Sequence, residues 1–420
     1  MNLEPQTTER RMMKANLCRI SGTPLTKVID FGMQPLGNGF LEAENIKGEY
    51  FFPMEIGYSE VSMMFQLIEQ PAPEKMFHDH YAFYSSTSSF MAQHFRNFAQ
   101  QIIQSDYLAK DDPFVVELGC NDGIMLKNFA EQSIRHLGIE PSLNVAQEAN
   151  KQGVRTRSEF FTEELAEVIV REEGQADAFL AANVMCHIPD IVGVVKGIKK
   201  LLKPTGVVMF EDPYLGDVVA KTSYDQIYDE HVFLFSALSI QYLFGLQGME
   251  LIDVLPQKTH GGSMRYVLAH QGAYQVKDTV RQLIAKEKVQ GLDRLGAFDT
   301  FRSNVEQSRT KLVELLEELK AQGKKVAGYA ATSKSTTVLN YCGIGPDLID
   351  YICDTTPIKQ GKLSPGMHIP VVPYETFKSN TPDYAVLLAW NHAEEIMAKE
   401  KDYVAAGGKW IVHVPEVKVM

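Results

Sequence analysis

The sequence has few cysteines and no long apolar run, and both shortages narrow the class of protein. Its five cysteines are scattered over 420 residues, at positions 18, 120, 186, 342 and 353. An odd, scattered set with no secretory signal ahead of it is typical of reduced thiols in the cytoplasm. No apolar stretch approaches the roughly 20 residues that a membrane-spanning helix requires. We therefore expect a cytoplasmic protein without a membrane partner.

Positive charge is also in short supply. The chain has 41 Lys and Arg against 53 Asp and Glu, a formal net charge of −12, and no basic block. This balance argues against nucleic acid as a partner. A phosphorylated substrate would need a local positive pocket. The length and the hydrophobic fraction of 45% indicate an ordinary globular protein of two or three domains.

The spacing of apolar residues divides the chain into three regions. Residues 1–80 combine short β-like runs with Pro and Gly. Residues 81–272 begin with a helical pattern, continue as strands alternating with helices and end in an antiparallel hairpin. Residues 273–420 begin with a long charged helical stretch and then show five further strand candidates. Such alternation predicts an α/β fold whose parallel sheets are covered by helices on both faces.

An E-x-G-x-N-x-G array stands at a predicted strand-to-helix turn, in Glu117, Gly119, Asn121 and Gly123. Glycines let the backbone turn sharply and approach a ligand, and a helix N-terminus offers free N–H groups. The next strand ends at Glu140, where a carboxylate can accept both hydroxyls of a ribose. The pattern suits NAD or S-adenosylmethionine. The acidic residue before the first glycine favours the latter, because it suits an ammonium group and repels a pyrophosphate. A plain tight turn is the competing interpretation.

A resemblance to a known family rests on nine motifs that occur in order along the chain. They are VVELGCNDGIML, GIEPSLNVA, AANVMCHIPD, EDPYL, YDQIYDEHVFLFS, THGGSMR, VAGYAATSKSTTVLNYCGI, DTTPIKQGKLSPGMHIPV and AWNHAEEI. From about Cys18 to Val414 the chain resembles the S-adenosylmethionine-dependent C-methyltransferases that act on nucleotide-activated deoxysugars.

The resemblance implies three domains. They are a small zinc-binding-like N-terminal domain, a central class I methyltransferase domain with a Rossmann-like sheet, and a second Rossmann-like domain that helps to hold the nucleotide sugar. We place them at residues 1–80, 81–272 and 273–420. The implied methyl donor is S-adenosylmethionine, and the implied substrate is a dTDP- or GDP-linked keto-deoxysugar.

The motif YDQIYDEHVFLFS contains candidates for acid–base chemistry, namely Tyr228, Glu230 and His231. A histidine pKa of ~6.5 suits removal of a proton alpha to a ketone. The resemblance implies that His231 is the base and that Tyr228 and Glu230 flank the sugar. Glu230 can assist a developing enolate only if it is protonated or hydrogen-bonded away from that oxygen. The competing interpretation is a solvated surface loop in which His231 packs against Phe233 or Phe235.

Further candidates come from motifs at other predicted strand ends. Asn183 and His187, in AANVMCHIPD, follow a strand whose end faces the cofactor crevice. The resemblance places both near the methyl group or the sugar, and we also assign Asn183 to the cofactor. A capping asparagine and a core histidine are the alternatives, equally weighted for His187.

Four residues are candidates for contact with the nucleotide sugar: His260, Arg265, Lys334 and Lys359. Arg265 can meet a phosphate bidentately. Lys334 lies in a strand-to-helix turn of small residues that can cradle phosphate, and the resemblance puts Lys359 nearby. An exposed hairpin and a salt-bridged loop are the alternatives.

The predicted reaction transfers a methyl group to a carbon, C3 by expectation, alpha to the ketone of a nucleoside-diphosphate 4-keto-6-deoxyhexose through an enolate. This chemistry requires no metal. Methylation of a sugar oxygen or nitrogen, and a non-catalytic sugar-nucleotide-binding protein, are the alternatives.

The N-terminal motif CRISGTPL departs from the family pattern. Relatives have two C-x-x-C pairs that together hold zinc, whereas this chain has Cys18 with Ser21 and, in SEVS, Ser59 with Ser62. Hydroxyls are poor zinc donors beside a thiolate. His78 and His80 are possible replacements, but their spacing matches no familiar knuckle. We expect no structural zinc.

Overall fold

A computed structural model describes residues 16–72 and 89–420, and three β-sheets organise them. The strands are β1 (Thr26–Pro35), β2 (Phe51–Ser59), β3 (Met64–Leu67), β4 (Phe114–Leu118), β5 (Arg135–Ile139), β6 (Thr156–Arg157), β7 (Ala176–Ala182), β8 (Leu202–Pro213), β9 (Phe233–Leu234), β10 (Met249–Gln257), β11 (Ser263–His270), β12 (Val326–Tyr329), β13 (Ile352–Asp354), β14 (Val371–Pro373), β15 (Tyr384–Leu387), β16 (Lys409–Val412) and β17 (Lys418–Val419).

The α-helices of this part of the chain vary from four to 26 residues. They are α1 (Ser89–Ile103), α2 (Lys127–Ala130), α3 (Leu143–Lys151), α4 (Glu163–Glu173), α5 (Ile191–Leu201), α6 (Leu215–Lys221), α7 (Ala237–Gly245), α8 (Asp278–Gln290), α9 (Gly296–Ala321), α10 (Ser333–Cys342), α11 (Tyr374–Ser379), α12 (Ala393–Lys399) and α13 (Lys401–Ala405). None of them, within the residues described, is both long and apolar enough to cross a bilayer.

The central sheet has seven strands in the order β10-β11-β8-β7-β4-β5-β6. Strands β4 to β8 pair in parallel, whereas β11 is antiparallel to both of its neighbours. The predicted hairpin of β10 and β11 is therefore confirmed, at the edge of this sheet. Because β4 lies between β5 and β7, the strand order reverses beside it, and a crevice opens at the carboxyl ends of these strands.

The C-terminal sheet repeats this plan with six strands in the order β14-β13-β12-β15-β16-β17. Strand β12 pairs in parallel with β13 and β15, so a second reversal lies beside it. All five predicted strands are present as β12 to β16, and β17 adds an antiparallel edge. The charged stretch before this sheet forms α8 and α9. The predicted α/β class, with two Rossmann-like sheets and a β-rich N-terminal part, is confirmed.

One helix predicted from the pattern IMLKNFAEQS is much shorter in the structure. Only α2, four residues long, is α-helical. The Asn128 amide donates to the carbonyl oxygens of Ile124, at 3.2 Å, and Met125, at 2.8 Å. Asparagine thus takes carbonyls that a regular helix would give to backbone N–H groups, and the segment forms successive turns.

The N-terminal sheet is antiparallel and includes one strand from far along the chain. Its order is β1-β2-β3-β9, and β9 belongs to the segment between α6 and α7. Phe65 pairs with Leu234 and Gln66 with Phe233, and the Leu67 N–H donates to the Val232 carbonyl at 2.8 Å. The segment predicted to carry acid–base chemistry is therefore tied to the N-terminal sheet.

Two apolar cores connect the three sheets. Met64 of β3 and Phe114 of β4 belong to the first, which joins the N-terminal sheet to the central sheet. Phe31 of β1, Leu312 of α9 and Val326 of β12 belong to the second, which joins the N-terminal sheet to the C-terminal sheet. Burial of about 25 cal/mol per Å² of apolar surface stabilises such contacts. The relative placement of the three sheets is thus fixed by shared packing.

The four positions that correspond to the zinc ligands of the family pattern do lie together. Cys18 Sγ is 3.2 Å from Ser62 Oγ, and Ser21 Oγ is 3.3 Å from Ser59 Oγ. The Ser62 N–H donates to Ser59 Oγ at 3.3 Å. One thiol and three hydroxyls are a poor zinc donor set, and here they satisfy one another by hydrogen bonds. His78 and His80 lie outside the described residues.

A zinc site should be recoverable by substitution, because the backbone already brings the four positions together. We expect Ser21→Cys/Ser59→Cys/Ser62→Cys to retain about one zinc per chain, as a tetrahedral four-sulfur site does. Elemental analysis after dialysis against a mild chelator measures this. The single variant Ser21→Cys is the control. A stoichiometric zinc in the unmodified protein, or none in the triple variant, would contradict the interpretation.

Candidate active site

The E-x-G-x-N-x-G array forms the turn that follows β4, at the switch point of the central sheet. Gly119, Asn121 and Gly123 have φ values of +65°, +49° and +83°, a region that favours glycine. A Cβ on Gly119 would lie 2.4 Å from Cγ2 of Val184. The turn therefore requires glycine at position 119, both for its backbone conformation and for close packing.

Glu140 ends β5 beside this turn, as the sequence predicts. Its Oε2 accepts from the Asn121 N–H at 3.1 Å, and its Oε1 accepts from the Ser142 N–H at 2.9 Å. Glu117, near the end of β4, is buried, and its Oε2 has no hydrogen-bond partner within the described residues. Burial and the neighbouring charge of Glu140 raise the pKa of Glu117. An acceptor without a partner beside a glycine turn fits a ligand that brings a donor, such as the ammonium of S-adenosylmethionine.

The segment after β7 connects this crevice to the loop of acid–base candidates. Asn183 has a φ of +56°, and its N–H donates to the Glu211 carbonyl at 2.7 Å. Its Oδ1 is buried with no hydrogen-bond partner in the described part of the chain. Val184 packs on Gly119, and the ring centroid of His187 lies 5.3 Å from that of His231. The structure thus brings Asn183 and His187 to a position between the glycine turn and the loop that contains His231.

The loop from Tyr224 to Ser236 places His231 in the interior. The ring is stacked on His187 with an interplanar angle of 24°, and its centroid is 4.2 Å from that of Tyr228. Nδ1 lies 2.7 Å from the carbonyl oxygen of Gln226. Because a carbonyl oxygen only accepts, Nδ1 carries the proton and Nε2 carries the lone pair.

Burial keeps both histidines neutral. It lowers the pKa of His187 to about 4, and burial with the nearby His187 lowers the pKa of His231 well below its ordinary value. His231 is only 6% exposed and Glu230 only 5%. The alternative of a solvated surface loop is therefore wrong for these residues. A neutral imidazole in a closed site has the protonation state that a base requires.

Glu230 is held by a residue of the N-terminal region. Its Oε1 accepts from the Asn38 amide at 2.8 Å, and the neighbouring Asp229 accepts from the Gly37 N–H at 2.9 Å. Burial and the charge of Asp229 raise the pKa of Glu230. A carboxyl group that favours its neutral form meets the condition for lying beside an enolate oxygen.

Lys334 and Lys359 reach the same region from the C-terminal sheet. Lys334 Nζ donates to Asn391 Oδ1 at 3.0 Å, and Lys359 Nζ donates to the Ala331 carbonyl at 2.7 Å. Burial lowers the pKa of both ammonium groups. The charge of Lys359 is near enough to Glu230 to lower the pKa of that carboxyl group. These lysines supply the local positive charge that the sequence as a whole lacks.

The predicted phosphate contact of Arg265 needs correction. Its guanidinium donates to Glu211 Oε2 from Nε at 3.1 Å and from Nη2 at 2.7 Å, and to Gln101 Oε1 at 2.6 Å. It also lies 3.6 Å from the centre of the Phe98 ring. The exposed hairpin is wrong too, because Arg265 is 4% exposed. A buried ion pair in which two N–H groups donate to one carboxylate oxygen leaves this arginine with a structural role.

His260 lies in the turn before β11 with a φ of +54°, and its carbonyl accepts from the Gln226 amide. Its Nε2 is buried without a hydrogen-bond partner among the described residues. Burial lowers the pKa of His260 to about 3. His260 therefore remains a candidate for contact with a ligand.

Two contributors to the site were missed by the sequence analysis. Gly37 and Asn38 lie about 190 residues before the loop that they contact. A Cβ on Gly37 would lie 2.8 Å from Asp229 Oδ1. The signal available in the sequence was the turn-like run PLGNG, which by itself names no partner.

Cys186, His187 and His231 form a group whose potential ligand atoms lie within 4.8 Å of one another. This donor set occurs in zinc sites. Burial and the adjacent carboxyl group of Asp212 raise the pKa of the Cys186 thiol well above its ordinary value, so a metal would first have to remove its proton. We assign no metal to this group.

Comparison with known families gives three matches along the chain. Residues 18–77 match a putative zinc binding domain, residues 90–254 a methyltransferase domain, and residues 258–415 a C-methyltransferase C-terminal domain.

Among the known proteins that match, a C-methyltransferase covers nearly the full length of the chain. C-methyltransferase NovU of Streptomyces niveus is 34% identical over 406 residues, which is 96% of each chain. The ubiquinone biosynthesis O-methyltransferase of Acinetobacter baylyi is 31% identical over 99 residues, 23% of this chain and 42% of that protein. Among solved structures, a SAM-dependent methyltransferase from Anabaena variabilis aligns with a TM-score of 0.34 and 18% identity, over 42% of this chain and 84% of that chain.

The glycine turn predicts a specific loss of cofactor binding. Gly119→Ala adds a methyl group against Val184 in a left-handed conformation that costs about 1 kcal/mol by itself, so we expect binding of S-adenosylmethionine to weaken about tenfold or more. Equilibrium dialysis with labelled S-adenosylmethionine measures this. Gly153→Ala is the matched control, because Gly153 has a φ of +80° and open space around its Cα. Equal binding by the two variants would refute the assignment.

Proposed function

The chain belongs to the S-adenosylmethionine-dependent C-methyltransferases, and on that premise we propose that it methylates C3 of a 4-keto-6-deoxyhexose linked to a nucleoside diphosphate. One observation carries the proposal. A neutral histidine, His231, stacks on His187 beside the crevice of the central sheet, lies near enough to Lys334 of α10 to be affected by its charge, and has its Nε2 lone pair available. This arrangement suits proton removal from a carbon acid that carries an anionic group.

The residues of the crevice would hold the methyl donor. Glu117 can accept from its ammonium group, Glu140 from its ribose hydroxyls, and the turn at Gly119 and Gly123 lets it approach the backbone. Asn183 lies at the edge nearest to His187. Bound S-adenosylmethionine supplies an electrophilic methyl carbon, to which an enolate carbon can form a bond.

The role of the protein's own residues is to generate and stabilise the enolate. His231 Nε2 takes the proton alpha to the ketone, and the electron pair of that C–H bond moves towards the ketone oxygen. The Gln226 carbonyl, hydrogen-bonded to Nδ1–H, stabilises the imidazolium that results. Tyr228 and neutral Glu230 are the candidates to donate to the enolate oxygen.

The C-terminal region supports a nucleotide-linked substrate. Two ammonium groups, Lys334 and Lys359, lie in a buried region of a protein whose net charge is −12. In a low-dielectric site their attraction for a diphosphate is strong. His260, with its unsatisfied Nε2, is a further candidate for contact with the sugar nucleotide.

The position of the transferred methyl group tests the proposal. The enzyme is incubated with methyl-labelled S-adenosylmethionine and a dTDP-linked 4-keto-6-deoxyhexose, and the product is analysed by NMR. We expect the label on a carbon beside the ketone. Label on oxygen or nitrogen, or equal turnover of the sugar whose ketone has been reduced, would overturn the proposal. Binding of the sugar nucleotide without transfer would indicate a non-catalytic protein.

The assignment of the base gives a separate prediction. His231→Asn removes the proton acceptor, so we expect turnover to fall about 100-fold or more and solvent deuterium exchange at the alpha carbon to fall with it. Steady-state rates and NMR of the recovered substrate measure both. His270→Asn is the control, since β11 ends at His270, at the edge of the sheet opposite the crevice. Undiminished exchange in His231→Asn would exclude His231 as the base.

A further inference from the structure

A tryptophan of the C-terminal region makes a hydrogen bond to the loop that carries His231. Trp390 lies in the 3-10 turn that follows β15. Its Nε1–H donates to Asp225 Oδ2 at 2.6 Å. Asp225 is 1% exposed, and its other oxygen, Oδ1, has no hydrogen-bond partner in residues 16–72 and 89–420. The indole N–H and the nearby positive charge of Lys334 therefore offset the burial of this carboxylate.

The position of the indole is fixed from its other side. Gly261 lies against the ring, and a Cβ at this residue would be 2.1 Å from Cη2 of Trp390. The carbonyl of the neighbouring His260 accepts from the side-chain amide of Gln226. The turn that contains Asp225 and Gln226 is thus held between Trp390 and the turn before β11.

This turn is in direct contact with His231. The Gln226 carbonyl, one residue after Asp225, is the acceptor for His231 Nδ1–H at 2.7 Å. A second hydrogen bond from the C-terminal region, from Thr337 Oγ1 to the Ile227 carbonyl at 2.7 Å, lies one residue further on. The acceptor that selects the tautomer of His231 therefore lies between two anchors of the C-terminal region.

We propose that Trp390 is a positioning residue: its hydrogen bond to Asp225 holds the Gln226 carbonyl where it orients His231. The inference rests on the proposed role of His231 as the base. It gives the C-terminal region a part in the proton transfer in addition to holding the nucleotide. Tyrosine or phenylalanine at position 390 cannot replace the indole N–H at the same place, because neither has a ring nitrogen.

The main test compares variants that remove or keep this hydrogen bond. We expect Trp390→Phe and Asp225→Ala each to lower kcat about 10- to 100-fold, as misplacement of a catalytic group by about 1 Å does. Asp225→Asn keeps an acceptor for the indole N–H. The kcat of this variant should therefore stay within about threefold of the value for the unmodified enzyme. KM for S-adenosylmethionine should stay within about twofold in all three variants.

The pH profile separates positioning from simple destabilisation. Burial and the neighbouring His187, His260 and Lys334 lower the pKa of His231, whereas the hydrogen bond to the Gln226 carbonyl stabilises the protonated ring and so raises this pKa. Loss of that contact should move the acid limb of kcat towards lower pH in Trp390→Phe. A variant that is merely less stable has a smaller folded fraction. This would lower kcat by the same factor at every pH and leave the position of the acid limb unchanged.

The second tryptophan provides a matched control. Trp390 and Trp410 are the two tryptophans of the sequence, and the buried indole N–H of Trp410 has no hydrogen-bond partner within the described residues. We expect Trp410→Phe to affect folding stability and to leave the acid limb of kcat unchanged. Unchanged kcat in Trp390→Phe, or a loss confined to KM for the sugar nucleotide, would overturn the inference.

A measurement that needs no turnover tests the hydrogen bond between Trp390 and Asp225 separately from the proposed reaction. Indole N–H resonances of the 15N-labelled protein are recorded for Trp410→Phe, which leaves Trp390 as the single signal. Adding Asp225→Ala should shift this signal and accelerate its solvent exchange, whereas adding Asp225→Asn should preserve slow exchange. Fast exchange in the Trp410→Phe protein itself would refute the hydrogen bond. Failure of methyl transfer with slow exchange intact would refute the proposed function alone.

Discussion

The hydrogen bonds that anchor the loop from Tyr224 to Ser236 are the constraint on which the rest of the site depends. The N-terminal sheet pairs with this loop through β9 and contacts it through Gly37 and Asn38. The C-terminal region holds it through Trp390 and Thr337. Since backbone groups in a buried loop must find partners, a loop with little regular secondary structure takes many of them from the two flanking units. The surroundings of His231, the proposed base, are thus built by all three parts of the chain.

Burial is the second determinant of the site, and it acts in opposite directions on acids and bases. It lowers the pKa of His187 and His231 and raises that of Glu230, so each of these side chains favours its neutral form. Neutral groups can exchange protons with a carbon acid without an uncompensated charge in a low-dielectric interior. The same burial strengthens the electrostatic attraction between an anion and the two lysines of the C-terminal region.

The N-terminal region shows how a metal-site geometry can persist when its ligands have changed. Cys18 and the three serines lie within hydrogen-bond distance of one another, and strands β1 to β3 pair around them. The pairing of β3 with β9 and the apolar packing against the C-terminal sheet hold this region in place against the loop from Tyr224 to Ser236. Its contribution to the site is the pair Gly37 and Asn38, which the metal positions do not touch directly.

Local patterns in the sequence determined the elements of the fold and part of the site. Alternating strands and helices predicted both Rossmann-like sheets, and the array from Glu117 to Gly123 with Glu140 predicted a crevice, because turn chemistry and strand ends are set by neighbouring residues. The helix that contains α2 was predicted to be longer than it is, since side-chain hydrogen bonds of Asn128 override periodicity there.

Contacts between distant residues were decided only by the tertiary structure. Sequence spacing could not show that Arg265 forms an ion pair with Glu211. It also could not show that Asn38 donates a hydrogen bond to Glu230, or that Trp390 donates one to Asp225. The motif from Tyr224 to Ser236 also resembles a solvated loop until the sheets pack around it. A local pattern encodes propensity, whereas burial and partner choice arise when chain segments more than a hundred residues apart share one core.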